Sequence, residues 1–260
     1  MDYKFLLHIL YLTCMNTNAQ NNNLSKNVST FIISAPQLQT EKKIWVYLPE
    51  GYNNSTEKYP VLYMHDGQNL FDGTGEWHID EQLESLHAKT IVISIEHGGD
   101  KRVDELSPYI SEKYGGGNAD NYLDFLVNTL KPYVDQNYRT KKDHENTTIF
   151  GSSVGGLVSF YAVLKYPKVF GKAGIFSPSF WFGEEIYDLV HNTPKLDAKL
   201  YFMAGDHESN DMVADMDRMV ELVLNKMNKK KVHKKIVHNG RHNETLWAKE
   251  FAAAYLWLME

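Results

Sequence analysis

From Val28 onward the chain alternates between short runs that are apolar at nearly every position and longer segments that are apolar only every third or fourth residue. "VSTFIISAP" (28–36) and "KKIWVYLPEGY" (42–52) open the pattern as two strands with polar residues between them. "YPVLYMHDG" (59–67), "KTIVISIEHGG" (89–99), "NTTIF" (146–150), "KAGIFSPS" (172–179), "AKLYFMAGD" (198–206) and "KKIVHNG" (234–240) read as six more strands. Helical spacing fills the gaps at 77–88, 121–138, 152–167, 184–192, 212–228 and 244–260. Pro132 is expected to kink or restart the helix over 121–138, because its ring displaces the carbonyl four residues back. Gly115, Gly116 and Gly117 mark a loop.

Strands that are apolar on both faces must be covered on both faces. The pattern therefore predicts an α/β fold with a mostly parallel eight-stranded sheet and helices on both sides. In such sheets the chemistry collects in loops beyond the carboxyl ends of the strands. The residues just after each strand are where a site is expected.

Composition narrows the picture without changing it. The chain has 260 residues, is 43% hydrophobic and carries a formal net charge of −6. That suits one domain over 28–260 and argues against a nucleic-acid partner. The basic cluster "NKKKVHKK" (228–235) reads as a solvated helix end leading into an edge strand. With the lone Cys14, no intrachain disulfide and no Cys-rich metal site can form. Residues 1–19 are expected to be a signal peptide. Their apolar run, Phe5 to Met15, is too short to span a bilayer, and Thr17 and Ala19 occupy the −3 and −1 places before Gln20. Residues 20–27 then form a polar linker. These features predict an exported protein, periplasmic or secreted, without stable membrane insertion.

The candidate chemistry starts at "IFGSSVGG" (149–156), where only Ser153 fits Gly-x-Ser-x-Gly. Given glycine near 7% of residues, the pattern alone arises by chance in on the order of one chain in ten. Its place, at the end of a strand and the start of a helix, is what makes it specific. Gly151 and Gly155 leave room for a strained turn that presents Ser153, whereas Ser152 is expected to point back into the sheet. A serine hydroxyl needs a base. His242, after the last strand, is the candidate, and His238 within that strand is the alternative. The acid that orients the imidazole is sought in "YFMAGDHESND" (201–211), where Asp206, Glu208 and Asp211 compete. Glu208 at the loop crest is preferred, Asp206 should point along the sheet edge, and Asp211 should cap the helix at Met212. A Ser–His pair without an acid stays open.

Stabilising an oxyanion needs two amides, here those of Val154 and Gly67, the latter chosen because a glycine lets substrate approach the backbone. His65 and Asp66 are adjacent and lack a third spaced ligand, so no metal is expected, and no cofactor. Trp77 and Trp181, with Phe180 and Phe182, are candidate walls on which a sugar, aryl acid or catecholate could stack. Arg102 and Glu105 read as a structural ion pair.

"IWVYLPEGY", "YPVLYMHDGQNLFD", "IFGSSVGG", "FSPSFW" and "GRHNETLW" occur in this order. Over 30–260 the chain resembles the esterase D, feruloyl esterase and siderophore esterase branch of the α/β-hydrolase superfamily. The resemblance implies an α/β-hydrolase fold with no large cap domain and serine carboxylic ester hydrolysis through an acyl-enzyme. It implies Ser153 as nucleophile, His242 as base, Glu208 as acid, and Gly67 and Val154 as oxyanion amides. The substrate it suggests is a small-molecule or glycan-linked ester, including aryl and siderophore esters. An acyltransferase using the same Ser and His, and a non-catalytic glycan-binding protein on the same fold, are the other two readings.

Overall fold

The computed structural model describes residues 24–71 and 76–260; the expected signal segment 1–19 and the first part of the linker lie outside the described residues. Eight strands form one sheet: β1 (Val28–Ala35), β2 (Thr40–Tyr47), β3 (Val61–Met64), β4 (Ile91–Ile95), β5 (Thr147–Ser152), β6 (Lys172–Phe176), β7 (Lys199–Gly205) and β8 (Val232–Val237). Their spatial order is β1-β2-β4-β3-β5-β6-β7-β8. Only β1 with β2 and β2 with β4 run antiparallel, and the other five pairings are parallel. The expected mostly parallel eight-stranded sheet is therefore observed.

The helices are α1 (Ile79–Ser85), α2 (Arg102–Leu106), α3 (Ala119–Phe125), α4 (Lys131–Asn137), α5 (Val154–Lys165), α6 (Glu185–Asn192), α7 (Met212–Leu224) and α8 (Glu244–Met259). Successive strand residues point to opposite layers. Tyr63, Ile93, Ile149, Ile175 and Phe202 join the core against α2 to α7, whereas Leu62, Val92, Phe150, Phe176 and Met203 join the core against α1 and α8. The uninterrupted apolar runs follow from this double burial.

Pro132 acts as expected. A π turn at Leu126–Leu130 lets the helix restart as α4 with the proline in its first turn, where the missing N–H does no harm. The lysine cluster enters β8, an edge strand, and three of its lysines pair with acids: Lys231 with Asp197, Lys234 with Asp217 and Lys235 with Glu250. The glycine loop is a small hairpin, Ile110–Ser111 against Gly115–Gly116. Among the described residues no helix is long and apolar enough to cross a membrane.

Candidate active site

Ser153 stands between the last residue of β5 and the first of α5, at φ +60° and ψ −122°. A non-glycine residue rarely holds a positive φ, so the fold must enforce it. A side chain on Gly151 would meet the Gly155 carbonyl at 2.6 Å and the His65 ring at 2.6 Å, and this is the steric reason for that glycine. The Ser153 amide donates to the Phe176 carbonyl at 2.9 Å, anchoring the turn to β6. Ser152 is buried at 4% exposure and Ser153 is half-buried, as the sequence suggested.

Beyond the carboxyl ends of β5, β7 and β8 the structure brings three predicted residues into one line. His242 Nε2 lies 3.0 Å from Ser153 Oγ, and His242 Nδ1 lies 2.7 Å from Glu208 Oε2. The Glu208 side chain has no solvent exposure, and that of His242 has 35%. The other carboxylate oxygen, Glu208 Oε1, accepts from the Gly205 amide at 2.6 Å and from Ser177 Oγ at 2.7 Å. Ser177 in turn accepts from the Trp247 indole N–H at 2.7 Å. Trp247 also packs edge-on to the His242 ring, with centroids 5.0 Å apart at 87°. Sequence reasoning missed Ser177 and Trp247. Ser177 is wholly buried at φ +44°, a conformation that nothing in "FSPS" signals.

The competing residues are engaged elsewhere. Asp206 accepts from His207 Nδ1 at 2.6 Å and from His238 Nδ1 at 2.9 Å. The hydrogen bonds from His207 and His238 draw its carboxyl down to about 2. Asp206 also accepts from the Asn239 amide at 2.7 Å, so it fastens the β7 loop to the β8 loop and engages His238 there. Asp211 does not cap α7 as expected. Its side chain makes no capping bond, and Ser209 Oγ accepts from the Met212 amide at 3.1 Å instead.

Three further expectations are corrected. Trp77 is a core residue at 3% exposure, packed among Phe150, Phe176, Trp247 and Phe251, with its indole N–H given to Glu244. Nothing can stack on it from solvent. Phe180 and Phe182 are likewise buried, and of these candidates Trp181 alone is open, at 51%. Arg102 and Glu105 do not pair with each other. Arg102 donates to both Asp66 oxygens, at 2.6 and 2.8 Å, while Glu105 accepts from the buried Lys42 at 2.7 Å. Burial would raise the Asp66 carboxyl, but the Arg102 hydrogen bonds and charge outweigh it and hold the group below its ordinary value. Gly67 begins a 3-10 turn beside the elbow. Its missing side chain makes room for Trp45, whose ring would lie 2.6 Å from a Cβ there, rather than for substrate. Gly155 faces Asp66, since a Cβ on it would lie 3.4 Å from Asp66 Oδ2. The loop carrying Gly67 thus abuts the first turn of α5, where the Val154 amide has no partner within the helix.

His65 lies behind the elbow with Nδ1 2.6 Å from the Tyr122 hydroxyl and Nε2 3.1 Å from Ser159 Oγ. Burial pushes this imidazole down to about 4. His65 and Asp66 are both committed to protein partners. Among the described residues no group of three His, Cys, Asp or Glu side chains is placed to hold a metal ion.

The chain is 25% identical over 239 residues to the uncharacterised protein YbbA of Bacillus subtilis, covering 84% of this chain and 92% of YbbA. It is 26% identical over 201 residues to an endo-1,4-beta-xylanase/feruloyl esterase of Xylanibacter ruminicola, covering 73% of this chain but 26% of that longer protein. Among solved structures it is similar to an IroE-like serine hydrolase from Shewanella oneidensis, with TM-score 0.72, 19% identity, and 88% and 80% of the two chains covered. The profile of the esterase family described as "Putative esterase" matches residues 35–258, and the chain is a member of that family, a serine esterase on an α/β fold.

Proposed function

We propose that the chain hydrolyses carboxylic esters through an acyl-enzyme on Ser153. His242 Nε2 accepts the Ser153 hydroxyl proton as Oγ attacks the ester carbonyl, and the carbonyl electrons move onto oxygen. The Val154 and Gly67 amides receive that oxyanion, helped by the positive end of α5. When the tetrahedral adduct collapses, the C–O bond to the alcohol breaks and His242 returns the proton to the leaving oxygen. Water, deprotonated by the same imidazole, then releases the acid and restores Ser153. Glu208 holds His242 with Nδ1 protonated, and Ser177 and Trp247 hold Glu208.

The observation that carries this reading is the unbroken hydrogen-bonded line from Glu208 through His242 to Ser153. The proposed substrates are aryl, glycan-linked or siderophore esters. In support, one relative is named for feruloyl ester cleavage and one solved neighbour is a siderophore hydrolase from Aspergillus nidulans. The test is to quench turnover of 4-nitrophenyl acetate in acid and map the acetylated peptide by mass spectrometry. An acetyl group on Ser153 is expected. Acylation at another residue, or full activity in Ser153→Ala, would remove the mechanism.

A further inference from the structure

Six large apolar side chains are well exposed among the described residues: Ile32, Ile110, Tyr114, Trp181, Ile236 and Leu256. Ile32 and Ile236 sit on the two edge strands and Leu256 on α8. The other three gather at one place. Ile110 and Tyr114 belong to the glycine hairpin, and the Tyr114 ring meets Trp181 edge-on at 5.5 Å and 72°. Phe182 underpins both rings, 5.4 Å from Trp181 and 6.4 Å from Tyr114. The Lys113 ammonium sits 4.7 Å from the Tyr114 ring centre.

The hairpin is built to hold this pose. Gly116, at φ +109°, has the Tyr109 carbonyl 2.2 Å from where a Cβ would stand, so no side chain fits. Its amide donates to Asp104 Oδ1 at 2.7 Å, and the Gly117 amide donates to the Ser107 carbonyl at 2.9 Å. A hairpin fixed this firmly that still shows Ile110 at 81% and Tyr114 at 46% exposure, beside Trp181 at 51%, is not a frayed loop. Exposed apolar surface on a rigid support marks a place where something binds.

Its location says what binds. Ser179 Oγ is 3.4 Å from Ser153 Oγ, and the Ser179 amide donates to the Ser153 carbonyl at 3.2 Å. Trp181 is two residues further on, within about 8 Å of chain. Trp181 therefore stands close to the nucleophile, with Tyr114 against it, on the way of a substrate part that extends from the ester group. Among the described residues the patch is an exposed wall of two inclined rings and a lysine. A flat aryl group laid there would keep one apolar face in water. A pyranose ring can place its C–H face on Trp181 and leave its hydroxyl rim hydrated or bonded to Lys113.

We propose that Trp181, Tyr114 and Lys113 form a subsite for a sugar ring one unit away from the ester carbonyl, making the chain selective for esters borne on oligosaccharides. This inference rests on the ester hydrolase reading and deepens it. The experiment compares kcat/KM for an acetylated xylo-oligosaccharide, methyl ferulate and the ring-free ester ethyl acetate in wild type, Trp181→Ala, Trp181→Phe and Tyr114→Ala. In Trp181→Ala the sugar-ester to ethyl-acetate ratio should fall about tenfold, mostly through KM, as for truncation of an aromatic anchor. Trp181→Phe should restore most of it, and Tyr114→Ala should show a smaller fall. An unchanged ratio in Trp181→Ala overturns the subsite. A loss confined to methyl ferulate overturns the sugar and assigns the wall to an aryl group. Wild-type protein inactive on all three esters would sink the ester hydrolase reading itself, which separates that failure from this one.

Discussion

The start of α5 carries two hydrogen-bonded lines of the same form, each with a serine, a histidine and an oxygen partner. One runs Glu208–His242–Ser153 and the other Tyr122–His65–Ser159. They differ in the direction of their protons. A carboxylate can only accept, so His242 carries its proton on Nδ1 and offers the Nε2 lone pair to Ser153. In the second line Ser159 already donates to the Gly155 carbonyl at 2.7 Å, so His65 must donate from Nε2. Its Nδ1 then accepts from the Tyr122 hydroxyl, which burial keeps protonated well past its ordinary range. Ser159 thus has no base and is fully buried, whereas Ser153 has one and is half-buried. Having serine beside histidine does not make a nucleophile; the third group, by setting the tautomer, does.

Deleting the two serines tests this most sharply. Ser153→Ala should lower kcat by on the order of 10⁴–10⁶ with little change in Tm. Ser159→Ala should spare most of the activity and destabilise the fold by about 1–3 kcal/mol, because His65 Nε2–H loses its acceptor. Esterase assays and thermal melts on the pair would contradict the contrast if Ser159→Ala were the inactive one.

Glu208→Gln should convert the first line into a copy of the second. The amide can donate to His242 Nδ1, which pushes the proton to Nε2 and removes the base. A fall in kcat on the order of 10²–10⁴ is expected. Near-normal turnover would mean that Ser153 and His242 act without an acid.

The support of Glu208 is a smaller effect with its own signature. Ser177→Ala and Trp247→Phe should each lower kcat about 10- to 100-fold by loosening one carboxylate oxygen. Because they act through one chain, the double variant should lose little more than either single one, and Ser177→Ala should have almost no effect in a Glu208→Gln background. Additive losses in both backgrounds would reduce these residues to packing.

The smallest contrast is read in stability against pH. Burial lowers the His65 imidazole from 6.5 to about 4 in the folded chain. The unfolded chain therefore binds the extra proton between those values. The contribution of neutral His65 is fully present above pH 6.5 and is lost as pH falls toward 4, by about 3 kcal/mol in total. His65→Gln should flatten that part of the Tm profile, and an equally steep decline in the variant would assign it to other groups.

Much of this was legible in the sequence because it is periodic or local. Apolar runs gave the strands, and the glycines around Ser153 gave the turn. The chain order of serine, acid loop and histidine pointed to the residues that the structure places in line. What was not legible depends on topology. Asp66 meets Arg102, and Lys42 meets Glu105, because β3, β4 and β2 are neighbours in the sheet, a fact no spacing encodes. In the sequence Trp77 follows polar and glycine residues and looks like a rim residue, yet its indole N–H finds a carboxylate 167 positions away and the ring goes inside. Asp211 lost the cap to Ser209 because side-chain reach at a helix start is decided by backbone angles that composition leaves open.

The crossing of the β7 and β8 loops has a wider consequence. A side chain on Gly205 would stand 2.3 Å from the Gly240 carbonyl, and the His207 amide donates to that same carbonyl at 2.9 Å. The loops bearing Glu208 and His242 are thus joined backbone to backbone, while the hairpin and Trp181 belong to other segments of the chain. Such a division makes the enzyme modular as an engineering template. Residues 110–114 and 181 can be randomised for new esters, with Gly115, Gly116 and Gly117 kept to hold the hairpin, while the acid and base keep their spacing, whereas a graft of either clamped loop succeeds only if both are moved together.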